Sequence, residues 1–533
     1  MKKASIPDIL GCCVSYLTTY FKEDAMNAFI EKHQKNIIGV LSGWDRIVFR
    51  GTLRLVANLA GMNAYLSHIG ILIKDFKQYA LEKTATLIEA SYARAEAAGR
   101  PNEYLHSAQT NKEQRALEIA NRDHITDGLI CMLRTVEPCM TYQIHRNRTN
   151  KTLDLQLIHG KCMHLYQYWH DPYFGFMGAR IQTWFPFAIQ MWMNGREWLA
   201  HQMDRESLEY RREDNCFPWI ADFTRGQELM DQLLQTDWCQ QFDRIARLLN
   251  PAHDRMFAPF GLHYYWTSHQ TEWATDVSFR NSAALGRIYP QLARGAIIAF
   301  RSKDVLRFLG KRPHSHDEVT SSYRERAEGI RIKHEACANS VKAYDKAGSI
   351  LRAECTVNNH RAFRVYRKSE RDPVGPKKHL PMSKGIADLY ARSQVSGQVN
   401  DRYLESLAML DTSERVEEIV RPICRGHRRK GKSIRAMRPW TEPDQRLFEA
   451  VAACGVAGDF RNRDIANRLY PNQPAQEVSS RVTHLLRLLR EHKIIRRLPR
   501  TRRYRLRPKG AKIIATILLT QKATTEQLNR AAA

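Results

Sequence analysis

Between residues 128 and 193 the apolar residues stop recurring at helical spacing and begin to alternate, and no other feature constrains the fold more. Strict alternation puts one side of each segment in a core and the other toward solvent. Six strands are expected, at 128–136, 140–145, 153–158, 162–169, 175–184 and 187–193. Arg148-Thr149-Asn150, His159-Gly160-Lys161 and Asp171-Pro172 supply turn chemistry between them. The pattern is that of an antiparallel meander.

Before this stretch, 21–38 and 72–98 have helical spacing, so 1–125 reads as a mostly helical N-terminal region. Trp44 to Gly51 alternates and stops at a glycine, so a strand and turn is its second reading. After the meander, Asn194 is placed to cap a helix at 195–205. Helices are expected around 225–249, 270–310 and 384–410, with a hairpin at 340–357 and an exposed loop at 365–382. The fold class is α+β, with an α+β core at 126–420, a basic linker at 421–440, a C-terminal module at 441–520 and a tail at 521–533.

Charge separates the last fifth of the chain from the rest. The formal net charge is +27 over 533 residues. Residues 421–533 hold 27 Lys/Arg against 8 Asp/Glu, so 19 of those charges lie there and 8 remain for the first 420 residues. A basic surplus of this kind implies a polyanionic partner. No apolar run reaches eighteen residues, so no membrane partner is expected. The start, Met1-Lys2-Lys3, is like a signal peptide, but Pro7 and Asp8 interrupt it. Eleven cysteines without framework spacing read as reduced thiols in a cytoplasmic protein.

The C-terminal module can be read residue by residue. Thr441-Glu442-Pro443-Asp444 starts a helix whose apolar face is Leu447, Phe448, Val451 and Ala452. Asn462 caps a short second helix that Pro471 ends. A third helix, about 476–492, puts Val482, Leu485, Leu486 and Leu489 on one face and Arg481, His484 and Arg487 on another. This is a helix-turn-helix with a cationic recognition face. Two short strands follow around Arg500 and Thr501. On the second, Tyr504 and Leu506 alternate with Arg503, Arg505 and Arg507, beside Arg502. A helix from 511 to about 520 closes the core with Ile513, Ile514, Ile517 and Leu518. The order resembles winged-helix regulators of the MarR-like kind over about 80 residues. That resemblance implies duplex DNA as the partner, with RNA second. Base reading would fall to Arg481, His484 and Arg487, and phosphate contacts to the wing.

Upstream chemistry has several candidates. Tyr344-Asp345-Lys346 followed by Leu351-Arg352-Ala353-Glu354 resembles a strand pair in rolling-circle replication initiators of phages and small plasmids. With a two-residue turn at Gly348-Ser349, Asp345, Arg352 and Glu354 would share a face. The resemblance implies metal binding there, with Tyr344 or another tyrosine as nucleophile. The competing reading is a cross-strand ion-pair cluster. The initiators' His-apolar-His strand is absent; His314-Ser315-His316 has the spacing but sits beside Pro313 in a polar loop. Glu272 and Asp276, four apart on the expected helix, would hold Mg2+ with a third carboxylate from Asp45, Glu137, Asp171 or Glu354. The competing reading is an acidic helix edge that pairs with Arg280.

Cys162 and His164 alternate on one strand, with His159 out of phase, and Cys424 and His427 lie close in sequence. Neither set is complete enough to name a metal site. Tyr166 and Tyr168 share a face, and Arg180 and Gln182 alternate with Ile181, so an exposed sheet here would stack single-stranded bases. Arg46, Arg50 and Arg54, each four apart, form a phosphate stripe. No P-loop, dinucleotide fingerprint or Cys-x-x-Cys pair is present.

Residues 1–420 also resemble an uncharacterised bacterial family found with mobile elements. The expected function is a nucleic-acid-binding protein of a mobile element or replicon, whose core takes single-stranded DNA or structured RNA as a ribonucleoprotein component. The alternatives are a metal-dependent nuclease or nicking enzyme, with Mg2+, or a replication initiator, and a ligand-sensing transcription regulator. No cofactor is expected outside the nuclease reading.

Overall fold

Long alternating segments need a partner on each edge, and here they find one another in a single sheet. The computed structural model describes residues 27–521 apart from 150, 258–259, 312–317, 327–328, 370–371, 373, 411–415, 430, 456–458 and 500. His314, His316 and Arg500 therefore lie outside the described residues.

In chain order the first strands are β1 (Ile37–Leu53), β2 (Asn102–Tyr104), β3 (Gly128–Asn147), β4 (Thr152–Asp171), β5 (Gly175–Gln182) and β6 (Ile189–Asn194). A small ribbon of β7 (Tyr210–Glu213) and β8 (Cys216–Ile220) follows. Then come β9 (Tyr264–Phe279), β10 (Val319–Arg326), β11 (Gly329–Ala336), β12 (Asn339–Lys346) and β13 (Ile350–Val357). Eleven of these form one mixed sheet in the order β10-β11-β12-β13-β9-β1-β6-β5-β4-β3-β2. Its ladders are antiparallel except β2 with β3, which is parallel. The molecule is mixed α/β around this sheet.

The meander is present with fewer, longer strands than expected. β3 runs through Pro138 as one strand, because β2 pairs only with Met132 to Arg134 and the sheet edge is open at Pro138. A proline lacks an N–H to donate, which an edge position tolerates. β4 likewise runs through His159-Gly160-Lys161 rather than turning there. A Cβ on Gly160 would lie 2.5 Å from Thr141 Cγ2, so glycine allows the close strand pairing.

Two larger expectations are corrected. The segment expected to begin a helix at 270 is the end of β9, so Glu272 and Asp276 lie on a strand. From Trp273 to Phe279 β9 is buried on both faces between β1 and β13, and such stretches lose the clean alternation that marks a half-exposed strand. Helices follow only at Ser282–Gly286, Tyr289–Ala299 and Ser302–Phe308. Second, Arg46 and Arg50 lie on β1, between β9 and β6 at the middle of the sheet, with Arg54 just past its end. The sheet therefore crosses the boundary expected at residue 125. The helices of that region are Ala28–His33, Leu59–His68, Phe76–Ala97 and Lys112–Arg122.

Helices bury the sheet. Trp44, Ile47 and Phe49 of β1 and Met177, Ala179 and Ile181 of β5 share a core with helices Leu59–His68, Phe76–Ala97, Gly195–Arg205 and Trp238–Leu249. Asn194 caps Gly195–Arg205 by accepting from the amides of Arg196 and Glu197. The β9 to β13 half packs Val277, Val341, Leu351, Ala353 and Cys355 against Tyr289–Ala299 and Leu389–Leu410. The 365–382 segment includes a two-stranded pair, β14 (Arg364–Arg367) and β15 (Lys378–Pro381).

The C-terminal part has its own core of Leu447, Phe448, Val451, Ile465, Val482, Leu486, Leu489, Ile513, Ile514 and Ile517. Its helices are Glu442–Gly455, Asn462–Leu469, Ala475–Glu491 and Pro508–Thr520. The second is capped at Arg461, one residue before the expected Asn462, with Asp464 accepting from the Arg461 amide. The segment 421–440 is not a free linker. It carries the ribbon β16 (His427–Arg429) and β17 (Lys432–Ile434), and Ile423 and Met437 are buried in the same core as Ile419 and Val420. Arg421, Arg425, Arg428, Arg429, Arg435 and Arg438 are exposed and hid these two apolar anchors in the composition. A three-stranded sheet completes the unit, with β20 (Arg503–Leu506) between β18 (Phe460–Arg461) and β19 (Ile495–Arg497). Among the described residues no helix is long and apolar enough to cross a membrane.

Candidate functional site

Cross-strand partners in a sheet point to the same side, and the registers carry one polar face across most of its width. Thr356 of β13 pairs with Glu272 of β9, Glu272 with Arg46 of β1, and Arg46 with Asn194 of β6. Trp192 of β6 pairs with Gly178 of β5, which pairs with Tyr168 of β4. The register shifts between Trp44 and Arg46, so Asp45 is an extra residue in β1. A bulge of this kind re-aims a side chain, and here Asp45 joins the polar face.

A closed charge cluster occupies the middle of that face. Arg352 is fully buried and donates to Asp276 through Nε at 2.5 Å and Nη2 at 2.7 Å, and to Asp45 through Nη1 at 3.1 Å. Arg196, also fully buried, lies 3.2 Å from Asp276 and donates to the Ala274 carbonyl. Lys342 donates to Glu354 at 2.5 Å and Tyr344 donates to its other oxygen at 2.6 Å. Burial opposes charge on Asp276 and Glu354, yet Arg352 and Lys342 respectively outweigh it, and both carboxyls sit below their usual range. Burial, with Glu354 beside it, pushes the Tyr344 phenol well up, so it keeps its proton.

The hairpin register decides between the two readings of this region. Lys346 pairs with Ile350, so the turn is Ala347-Gly348-Ser349, three residues rather than two. One residue of slip exchanges the faces. Tyr344, not Asp345, therefore shares a face with Arg352 and Glu354. Asp345 accepts from the Ile330 amide at 2.9 Å, away from the cluster. Tyr344, Glu354, Glu272 and Asp276 are brought together; Asp345 is not. The carboxylates are ion-paired rather than grouped for a cation. Among the described residues the metal-competent triplet is elsewhere, at Cys139, Cys162 and His164.

Beside the cluster opens a cleft of about 450 Å³. Asp45, Glu272, Asn194 and Asn215 line one side, Tyr166, Tyr168 and Trp192 another, and Arg46 and Lys112 are also in its wall. Gly178 lies in the wall too, and a Cβ there would stand 2.6 Å from Tyr168 Cε1. The Tyr166 and Trp192 rings are parallel within 7° at 6.0 Å. Burial raises the carboxyls of both Asp45 and Glu272, and for Glu272 the adjacent Glu354 charge adds to it. Asn215 donates to Asp45 at 2.7 Å and Gln270 to Glu272 at 2.9 Å. Two protonatable carboxyls in an aromatic cleft can donate to or accept from a planar polar ligand. Sequence reasoning missed Asn194 and Asn215 as lining residues, since the elements that bring them together are far apart in the chain.

The open aromatic platform expected of the meander is covered instead. Tyr166 and Tyr168 are each 5% exposed under helix Lys112–Arg122, whose Ala116 and Ile119 pack against them. The Tyr166 hydroxyl donates to Glu137, which Lys112 and Arg180 also hold. Arg46, Arg50 and Arg54 are all exposed, and Arg54, just past the end of β1, stacks 3.4 Å over the Tyr265 ring.

Comparison with the models of known protein families, with curated proteins and with solved structures finds no match for this chain.

The second candidate surface is the C-terminal unit. Arg481, His484 and Arg487 are exposed along helix Ala475–Glu491. Arg502, Arg503 and Arg507 are exposed on or beside β20. Arg505 points outward but is held by Asp459 at 2.7 and 3.1 Å. A groove of about 680 Å³ lies between the two sets, lined by Arg461, Arg463, Arg502 and Arg503 with Asn462, Gln476, Ser479 and Thr501. Arg461 and Arg463 had no place in the sequence reading. They reach the groove because β18 pairs with β20, and a two-residue strand leaves no periodic signal.

Proposed function

We propose that this is a nucleic-acid-binding protein of a mobile element or replicon, whose C-terminal unit is a winged helix that grips duplex DNA. The observation that carries the reading is the groove with four exposed arginines between the third helix and the β19–β20 hairpin. Guanidinium groups converging on one groove, with hydroxyl and amide donors between them, suit phosphate oxygens. In this reading the neighbouring exposed Arg481, His484 and Arg487 meet base edges. In this reading the large sheet takes a nucleotide or single strand in its aromatic cleft, and the C-terminal unit tethers it to duplex. The test is binding of the full chain to a labelled duplex over a range of salt. Affinity that falls steeply with salt supports the reading. Binding that ignores salt, or no binding at low salt, removes it.

The raised carboxyls of Asp45 and Glu272 favour a second reading, an acid–base enzyme that acts on the nucleotide held in the cleft. A metal-dependent nuclease has less support, because Glu354 and Asp276 are held by cations. Cleavage of single-stranded or supercoiled DNA that Glu272→Gln abolishes supports the enzyme. Absence of turnover leaves the binder.

A further inference from the structure

The polar face of the sheet ends in a group that neither the cleft nor the C-terminal groove uses. Cys139 on β3 and Cys162 and His164 on β4 meet there. The two sulfur atoms are 3.4 Å apart, and both lie within 4.8 Å of an imidazole nitrogen of His164. The β3–β4 register explains the meeting. Glu137 pairs with Cys162 and Cys139 with Gly160, so Cys139, Cys162 and His164 all point to one side. The sequence offered Cys162 and His164 on alternate positions but not the third ligand. Cys139 is 23 residues away in the chain and comes alongside only because both strands run unbroken through their expected turns.

We propose that Cys139, Cys162 and His164 bind a zinc ion, with water in the fourth position. Two thiolates and an imidazole suit a borderline-soft divalent ion, and three protein ligands leave one coordination place open. The histidine is prepared for it. His164 is 4% exposed, and its Nδ1 donates to the Cys162 carbonyl at 3.2 Å. That bond fixes the tautomer and leaves Nε2 with its lone pair, as backbone carbonyls commonly do for metal-bound histidines. The two sulfurs already share a hydrogen bond across the strand pair. Zinc binding displaces the thiol protons to solvent and leaves two thiolates on the ion. A disulfide would instead need an external two-electron oxidant.

The experiment uses the full chain purified under reductant, loaded with zinc and dialysed, with metal counted by mass spectrometry. Cobalt is the optical probe, since thiolate ligands give it an intense near-ultraviolet charge-transfer band. The expected result is one zinc per chain and a thiolate–cobalt band. Both should be lost in Cys162→Ser and weakened more than tenfold in His164→Gln. Both should be kept in Cys239→Ser, which alters an exposed cysteine outside the group. Circular dichroism selects variants that fold, and Cys139→Ser replaces any that does not. Substoichiometric zinc in the folded wild type, equal loss from Cys239→Ser, or retention in all three ligand variants overturns the proposal. So does a Cys139–Cys162 disulfide found in place of metal under reductant.

Discussion

The large sheet and the C-terminal unit both use arginine, but in opposite ways. On the sheet and the helices packed on it, Arg196, Arg352 and Arg392 are buried to 1% exposure or less, and each has internal partners. In the C-terminal unit, Arg461, Arg463, Arg481, Arg487, Arg502 and Arg503 stand exposed. A guanidinium inside a core is committed to the fold, because leaving its partner carboxylates alone in a low dielectric is costly. One on the surface adds little to stability and is free to meet an outside anion. The difference separates the basic charge that serves folding from the charge left open to an outside anion, which a net charge of +27 cannot do.

Variants can break this contrast. The largest effect is expected from Arg352→Met. It strands Asp276 and Asp45 without their main cation, which costs about 3–5 kcal/mol, read as a lower unfolding midpoint of the sheet region. A midpoint unchanged within error would mean that the cluster is not structural. Acid should act on the same region next. His334 is fully buried with its pKa brought down by burial to about 4, below the unfolded value of about 6.5. The unfolded chain therefore takes up the proton first. The stability that the neutral ring contributes is present above pH 6.5 and is lost as pH falls toward 4, by at most about 3 kcal/mol. Melting curves across that window should show the loss, and His334→Gln should flatten it. A smaller effect is expected from Asn194→Ala, which removes the cap of helix Gly195–Arg205 beside the cleft, at about 1 kcal/mol. None of these changes should alter the salt dependence of DNA binding.

The two regions also differ in how far their sequences disclose them. The helices of the C-terminal unit carry local signals, so helical spacing and caps placed them within a few residues. The sheet is built from contacts between distant segments. β1 pairs with β9 across more than two hundred residues, as at Thr267 and Arg50, and nothing local announces such a pairing. The end of β9 was misread because a stretch buried on both faces does not alternate. The candidate residues were partly legible: Glu272, Asp276, Glu354 and Tyr344 do converge. Their use was not, because a one-residue difference in a turn exchanged Asp345 for Tyr344 on the cluster face. The ion pairing of those carboxylates and the approach of Cys139 to Cys162 likewise depend on register.

The claim that binding charge and folding charge are separated has a direct measurement. Duplex DNA affinity of the full chain is measured against salt concentration for the wild type and for two variants. One changes Arg461, Arg463, Arg502 and Arg503 of the groove to alanine; the other changes Arg46 and Arg50 of β1. Each phosphate contact contributes about 0.9 to the slope of log affinity against log salt. The groove variant should lose a slope of roughly 3–4 with its melting midpoint unchanged, and the β1 variant should keep the wild-type duplex slope. An unchanged slope in the groove variant, or an equal loss from the β1 variant, would contradict the account.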